Sequence, residues 1–450
     1  MHVPKNICTI NTILKQAGYQ CYIVGGAVRN TVAGIPPTDY DLATDAPPQE
    51  VQRLFHRTVP TGIDHGTVTI LLGGGQYEIT TFRTESTYSD SRHPDKVEFS
   101  SSIEEDLSRR DFTMNALAWN VSEARLIDLY EGADAIRSGM IIAIGSPAER
   151  FFEDPLRILR ACRFAAQLGF TVENATKEAA VASVQDLRKI SCERVRDEFS
   201  KLVMGKFCAQ GLFLLRDLGI LPVLFPELHQ CTGVFQKGSH AFDVFEHSVY
   251  ACEGAPEEDI VLRLAALFHD LGKPASAAIA NDGTISFHGH ETIGADITRK
   301  LMSRLKYPKQ IIRDTLHLVR QHMFNYTDEW TDAAVRRFIA RVGTEHLENL
   351  IMLRRADSYG LERRPLPLEY VKTLQSRITG LLSDEAAVKL KDLAVNGSDL
   401  MEQGIPAGPL LGVILDQLLE TVLDDPEMNT REKLIPLAKN LYRELRSRES

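Results

Sequence analysis

The chain has little of what would assign it quickly to a compartment or scaffold. It holds seven cysteines, at 8, 21, 162, 192, 208, 231 and 252, and no two form a Cys-x-x-Cys pair. An odd, scattered set argues against a disulfide framework or a zinc ribbon, and for reduced thiols in a cytosol. No run approaches the roughly 18 consecutive apolar residues of a membrane span, so no membrane partner is expected and the reading is cytoplasmic. The opening MHVPKNICTINTILKQAGYQ lacks a basic stretch followed by a long apolar one, so no secretory signal is read. No repeat of fixed period and no low-complexity tract occurs. Basic charge is also short: 51 Lys and Arg against 61 Asp and Glu give a net charge of −10. That excludes nucleic-acid binding through a bulk positive field and leaves only a local basic face for such a partner. At 450 residues the chain exceeds a single core, and several domains are expected.

What is present changes character near residue 146. Before it, CYIVGG, DYDLAT, GTVTILLGG, QYEITTFRT and MIIAIG read as strands with glycine-rich turns between them. After it, apolar residues recur at helical spacing in DPLRILRACRFAAQLGF, SCERVRDEFSKLVMG, FCAQGLFLLRDLGIL and IVLRLAALFHDLG. The fold class read from this pattern is α+β, an α/β head followed by an all-helical remainder. NGSDLMEQGIPAGPLLG reads as a Gly/Pro-rich joint, and LDDPEMN as an exposed turn.

Three constellations carry chemistry. The first begins at VGGAVRN (24–30), where two glycines end a strand and a helix starts. Backbone N–H groups there can face phosphate, glycine admits close approach, and Arg29 sits one turn in. A plain tight turn would use the same residues. TDYDLAT follows, with Asp39 and Asp41 two residues apart. In a strand these share a face, and two carboxylates held that close need water or a cation between them. Strands disfavour Asp, and a solvated surface strand is the plain alternative. Glu78 in YEITTFRTE and Arg109, Arg110 and Asp111 in a helix around LSRRDFTMNALAW complete the set. Phosphate cradle, carboxylate pair and guanidinium groups are the parts of a nucleotidyl-transfer site, in which magnesium takes oxygen ligands.

The second constellation is FFEDPLRILRACRFAAQLGF (151–170). Asp154 suits a helix N-cap and Pro155 the first helical position. Arg157, Arg160 and Arg163 recur every third residue on one broad face and form a local anion site, or else pair with Glu153 and Glu193. Leu156, Leu159 and Cys162 turn to the core.

The ordered set GGAVR, DYD, RRDFTMNALAW, EDPLRILRACRFAAQLGF and SCERVRDEFSKL resembles the class II tRNA nucleotidyltransferases, the CCA-adding enzymes and bacterial poly(A) polymerases. The likeness is specific through about the first 210 residues and looser beyond. It implies a nucleotidyltransferase-fold head at 1–145, a helical neck at 146–210, a helical body at 211–370 and a helical, tRNA-gripping tail at 371–450. It implies that Asp39 and Asp41 bind magnesium, with Glu78 as a third carboxylate. Gly25, Gly26 and Arg29 would meet the triphosphate, with Arg110 and Asp111 beside it. Asp154 and Arg157 would read the nucleobase, while Arg160 and Arg163 hold the nucleotide. Cytosine and adenine both place an exocyclic amine beside a ring-nitrogen acceptor, so one carboxylate and one guanidinium can accept both. Uracil and guanine put a carbonyl where the amine should be. The implied substrates are CTP, ATP and the tRNA 3′ end. Asn30 stands where the family pattern has Asp, which removes a charge near the phosphate turn. The polar segment 84–106 matches a flexible loop that accompanies the family's switch from C to A addition.

The third constellation places His247 in FEHSVYAC, His269 and Asp270 in LFHDLGKP, His288 and His290 in SFHGHETIGA, His322 in LVRQHMF and Asp357 in RRADSYG. This order resembles the HD superfamily of metal-dependent phosphohydrolases. Imidazoles with carboxylates suit Zn, Mn, Fe or Ni better than Mg. Three functions stay open: addition of C, C and A; A-only or poly(A) addition by the same machinery; or an HD phosphohydrolase whose head merely binds RNA.

Overall fold

Short β-branched and aromatic runs in the first 130 residues pair into a seven-stranded sheet. In this computed structural model, residues 1–450 are described apart from 64–65, 87–95, 236–241, 280–284, 328, 365–367, 384–389 and 450. The strands are β1 (Tyr22–Val24), β2 (Asp41–Thr44), β3 (Thr58–Gly62), β4 (Thr67–Leu72), β5 (Gly75–Thr81), β6 (Arg83–Ser86), β7 (Lys96–Phe99), β8 (Leu117–Asn120) and β9 (Arg125–Asp128). The sheet order is β3-β4-β5-β2-β1-β8-β9, and β6 pairs with β7 separately. Neighbours are antiparallel except β2 and β5. Strands β3, β8 and β9 escape the sequence reading because each is short and bounded by charged or amide residues.

Helices accompany the sheet and then take over: α1 (Lys5–Gln16), α2 (Gly26–Val32), α3 (Pro48–Leu54), α4 (Ile103–Ser108), α5 (Gly132–Ser138), α6 (Pro147–Glu153), α7 (Leu156–Leu168), α8 (Asn174–Ser183), α9 (Cys192–Val203) and α10 (Cys208–Asp217). The mixed head followed by helices is the architecture expected. The chain divides into two compact units. One comprises Met1–Val234, Pro256–Arg263 and Arg299–Ile312; the other comprises Phe235–Ala255, Leu264–Thr298 and Arg313–Ser450.

Within the first unit the core does not stop at residue 145. Ala161, Phe164 and Ala165 of α7 and Val172 join one buried cluster with Ile7, Ile23, Leu42 and Ile79 of the head. Helix α7 packs against α6, α9 and α10, and ten of its thirteen residues are buried. Its length and lack of a solvent face follow from that position.

The remainder is mainly helical: α11 (Leu221–Leu224) and α12 (Pro226–His229) end the first unit's main segment, and α13 (Val244–Gly254), α14 (Ile260–Phe268), α15 (Lys273–Ser276), α16 (His290–Arg304), α17 (Lys309–Gln321), α18 (Asp332–Val342), α19 (Leu347–Glu362) and α20 (Leu368–Ser383) follow in order, of which α14, α16 and α17 have residues in both units and the others lie in the second. At the C-terminus α21 (Gly397–Glu402), α22 (Pro409–Asp424) and α23 (Arg431–Glu449) bury Leu400, Ile414, Leu418, Val422 and Leu434 together. The expected Gly/Pro joint therefore contains a helix, started by a capping box between Asn396 and Asp399. Among the described residues no helix is long and apolar enough to cross a membrane.

Candidate functional site

Strand register builds the first site. Antiparallel pairing of β1 with β2 sets Val24 opposite Asp41, so the acidic start of β2 lies beside the glycine turn that follows Val24. Gly25 has φ +65°, and a Cβ there would lie 3.3 Å from Arg110 Nη1. The positive φ favours glycine, and the close arginine leaves little room for a side chain. Asp39 precedes β2, in an irregular stretch, so the two aspartates do not share one strand as expected; β2 starts only at Asp41. They still feel each other. Crowding by the protein pushes the Asp41 carboxyl up, Arg110 draws it down, Asp39 pushes it up again, and the net shift is upward. Parallel pairing of Leu42 with Ile79 continues one step back to Glu78, which is exposed beside Asp41. Oxygen donors of this kind, with Asp39 adding to the upward shift of Asp41, fit a divalent magnesium ion.

The arginines are oriented by partners the sequence did not reveal. Arg109 and Arg110 follow α4 rather than lying inside a helix. Asp106, buried, takes Arg109 on Oδ1 at 2.7 Å and Arg110 on Oδ2 at 3.0 Å. The i,i+4 spacing of Asp106 and Arg110 was the available signal. Arg29 donates from Nε and Nη2 to Asn30 Oδ1, at 3.2 and 3.0 Å, and from Nη1 to Asn115 Oδ1 at 2.8 Å. Asn30 thus supplies the acceptor oxygen that an Asp would, without its charge.

Asp111 is buried and fully engaged. It accepts from the Phe112 N–H at 2.8 Å, from Asn115 Nδ2 at 3.0 Å and from Arg160 Nε at 2.7 Å. Burial alone would raise its carboxyl, but Arg160, Asn115 and Phe112 together hold it down to about 2.

The expected anion face on α7 is instead an internal ionic network. Arg157 is buried and donates to Glu153 at 2.6 Å and to the carbonyls of Arg150 and Arg109, each at 3.0 Å. Arg160 reaches Glu198 at 3.4 Å as well as Asp111. Arg163 pairs with Glu198 at 2.9 Å and lies 3.9 Å over the Phe164 ring. Burial, followed by the charge of Arg160, pushes Arg163 down to about 10. Of the two glutamates expected as partners, Glu153 serves Arg157, whereas Glu193 pairs with Lys306. Packed by α6, α9 and α10, α7 keeps little solvated face to spread arginines over, so each is paired with a carboxylate, a carbonyl or a ring. Asp154 caps α7, with Oδ1 accepting from the Leu156 N–H at 3.1 Å, and its Oδ2 takes Arg194 Nη2 at 2.7 Å.

The second site lies in the helical unit. His247 comes from α13, Asp357 from α19, His269 and Asp270 from the end of α14, His290 from the start of α16 and His322 from the end of α17. His247 Nε2 is 3.0 Å from His269 Nε2 and 3.1 Å from Asp357 Oδ1. Asp270 Oδ2 is 3.2 Å from His269 Nε2, and its Oδ1 is 3.3 Å from His290 Nε2. His290 and His322 face each other Nε2 to Nε2 at 3.3 Å. The Nδ1 atoms of His269, His290 and His322 lie 2.8, 2.7 and 2.6 Å from the carbonyls of Ala266, Phe287 and Val319. A carbonyl only accepts, so each Nδ1 carries the proton and each Nε2 presents a lone pair. Lone pairs facing one another in a buried pocket fit a cation between them. Two overlapping trios could hold a metal ion: His247, His269 and Asp357; and His269, Asp270 and His322. Burial opposes charge on His269, but Asp270 and Asp357 hold it up to about 10, so its Nε2 takes a proton there unless a metal cation replaces it; burial and His269 push His322 down to about 4, which leaves its Nε2 lone pair open. His288, named with this set from the sequence, is exposed. A Cβ on Gly272 would lie 2.1 Å from the His290 carbonyl, so glycine lets the start of α16 approach the His-Asp turn.

Comparison with known proteins finds family matches over the stretches that carry both sites. The chain matches the poly A polymerase head domain over residues 21–142, the probable RNA and SrmB-binding site of polymerase A over 169–232, and the HD domain over 238–361. It is 34% identical to the CCA-adding enzyme of Ligilactobacillus salivarius over 434 residues, 96% of this chain and 95% of that one. The chain belongs to the CCA-adding enzyme family. A Bacillus cereus CCA-adding enzyme is 42% identical over 266 residues, 58% of this chain and 66% of the relative. The crystal structure of the Bacillus stearothermophilus CCA-adding enzyme in complex with CTP superposes with a TM-score of 0.76 at 30% identity, covering 100% of this chain and 99% of that one. The Thermotoga maritima CCA-adding enzyme complexed with tRNA_CCA shares the fold, with a TM-score of 0.59 at 20% identity over 97% of this chain and 94% of that one.

For a CCA-adding enzyme family member, the sequence reading missed Asp106, Asn115, Glu198, Arg194 and Phe164. All five act on residues it did name. Each is remote in sequence from its partner or of ordinary helical type. The segment 84–106 is described only at its ends: β6 pairs with β7, α4 follows, and residues 87–95 lie outside the described residues.

Proposed function

We propose that the chain adds C, C and A in turn to the 3′ end of tRNA without a template, using CTP and ATP and releasing pyrophosphate. The observation that carries this is the Val24–Asp41 register, by which Asp41, two residues after Asp39, lies beside a glycine turn lined by Arg110. Asp39 and Asp41, with Glu78 at hand, would hold magnesium. Bound there, the ion would help ionise the tRNA 3′ hydroxyl and offset charge on the leaving pyrophosphate. Gly25 and Gly26 leave space for the triphosphate, and Arg29 and Arg110 neutralise it. Asp111 positions Arg160 rather than meeting the nucleotide. The hydroxyl oxygen bonds to the α-phosphorus as the α–β bridging bond breaks and pyrophosphate departs. Asp154 accepts the exocyclic amine of cytosine or adenine, and Arg157 donates to the ring nitrogen after giving up its Glu153 contact. Arg160 and Arg163 hold α7 in place for that reading. The seven free thiols and the tRNA substrate support a cytoplasmic setting.

The test uses purified protein, magnesium and tRNAs ending before CCA, after C and after CC, each with CTP, ATP or both. Three additions to the first substrate, ending in A, are expected. A single A added only to the CC-ended tRNA would mean an A-adding enzyme, and long A tails a poly(A) polymerase.

A second reading stands beside the first, because the imidazole lone pairs of the helical unit converge. In it the HD pocket holds Zn, Mn, Fe or Ni through His247, His269, Asp270 and Asp357, with His290 and His322 completing the wall. It hydrolyses phosphate esters of RNA ends or nucleotides. Hydrolysis lost in Asp270→Ala but kept in Asp39→Ala would support it; no hydrolysis by the metal-loaded wild type would overturn it.

A further inference from the structure

The stretch SCERVRDEFSKL lends Glu198 to the arginines of α7, and a second of its residues touches the base-reading carboxylate. Arg194 lies in the first turn of α9, and its Nη2 is 2.7 Å from Asp154 Oδ2. Neither partner is a loose surface group: the side chains are 30% and 19% exposed. Helix α9 is tied down around Arg194. Glu193 meets Lys306 at 2.5 Å, Arg196 donates to the Lys306 carbonyl at 2.7 Å, and Ser200 bonds Tyr307 at 2.9 Å. Phe199 stacks on Phe225 with ring centroids 4.4 Å apart. Asp154 is therefore held from two sides, Oδ1 by the first turn of α7 and Oδ2 by the first turn of α9.

That double hold has a chemical consequence. The terminal torsion of an aspartate is broad, so a carboxylate bonded through one oxygen can swing about Cβ–Cγ. Bonded through both, it presents its remaining lone pairs in a fixed direction. An ionised carboxylate is acceptor-only. Fixed in place, it receives an amine and opposes a carbonyl. Free to turn, it can rotate away from the carbonyl and loses its power to reject it. Arg194 Nη1 is buried and finds no acceptor among the described residues.

We propose that Arg194 is a positioning residue for nucleotide choice, locking the Asp154 carboxylate in the plane that accepts the amine of CTP or ATP and rejects the carbonyl of UTP or GTP. The inference rests on Asp154 as the base reader, and the experiment separates the two claims.

Full-length wild type, Arg194→Ala, Arg194→Lys, Asp154→Ala and the Arg194→Ala/Asp154→Ala double variant are compared on tRNA lacking CCA. The kcat/KM for CTP and for UTP is measured for each, with melting temperatures as a check on folding. Arg194→Ala is expected to shrink the CTP/UTP ratio by about tenfold or more, the scale of one charge-assisted hydrogen bond. Arg194→Lys, which keeps the cation and one donor, is expected to recover part of that ratio. In the Asp154→Ala background, Arg194→Ala is expected to change the ratio no further. A fall of CTP and UTP rates in equal proportion would overturn the proposal and leave Arg194 a structural tie. So would a further loss of ratio in the double variant, since Arg194 would then not act through Asp154. An unchanged ratio in Asp154→Ala alone would remove the base-reading role itself, and this inference with it.

Discussion

Asp41 and Asp111 are both aspartates of the first unit, and their surroundings assign them opposite work. Asp41 is accessible, shifted upward, and close to another carboxylate; Asp111 is buried, shifted downward, and saturated with donors. Asp41→Ala and Asp39→Ala should each slow nucleotide addition by on the order of 10³-fold, the scale of losing a group that stabilises transition-state charge, with the melting temperature unchanged. Addition assays beside thermal unfolding read both effects, and a fall in both together would mark a structural role. For Asp111 the sign runs the other way. Its folded pKa, about 2, lies below the ordinary 3.8, so its stabilisation is complete above pH 4 and fades as pH falls from 4 to 2. Asp111→Asn should cost about 2 kcal/mol at pH 7 and about half of that at pH 3, measured by urea unfolding of both proteins at the two pH values. The sequence made the carboxylate pair, the glycine turn and the HD residues legible because such groups are rare inside strands and apolar helices. It could not show that Asp111 faces Arg160, forty-nine residues away.

Among elements, α7 departs most from its sequence pattern. Apolar residues every third or fourth position predict one dry stripe and one wet one, and the arginines fall on the wet side. Packing by α6, α9 and α10 removes the wet side. Periodicity reports a helix but not how many neighbours it acquires, so the arginine partners were out of reach. Phe164 is the pivot, buried in the core beneath Arg163 and, at 5.3 Å, Arg29. Phe164→Ala should destabilise the unit by about 3–5 kcal/mol, read as a lower urea midpoint. Stability within about 1 kcal/mol of wild type would mean that the arginines, not the ring, hold α7. Strands were legible where glycine bounded them and illegible where they were four residues long with polar ends, as in β9. The segment 84–106 remains the element proposed for the change from C to A addition. Removing residues 88–94 should spare the two C additions and abolish the A, on gels of single-nucleotide resolution; equal loss of both would assign the segment to general binding.

At the scale of the whole molecule, two candidate metal sites with different donor sets share one chain. The oxygen site of the head should respond to magnesium, and the imidazole site of the second unit to softer ions. Chelation should stop nucleotide addition, and magnesium alone should restore it. Asp270→Ala should leave addition within about twofold of wild type while reducing bound Ni or Mn measured by elemental analysis. A matching loss of addition would show that the pocket supports the polymerase. The division into a mixed head and helical remainder was legible because strand signals cease after residue 146. The sequence places a boundary at 145, but the buried cluster runs from Ile7 through Phe164 without a break.

The Asp111–Arg160 contact also bears on how this lineage can be rebuilt. Exchanging heads between relatives at residue 145 would leave an inherited aspartate facing a stranger's helix, with a buried charge awaiting its match. Recombination succeeds where both halves of such a bond travel together. Hybrids joined beyond α9, which keep Asp111, Arg160 and Glu198 from one parent, are therefore the ones a breeding experiment should recover.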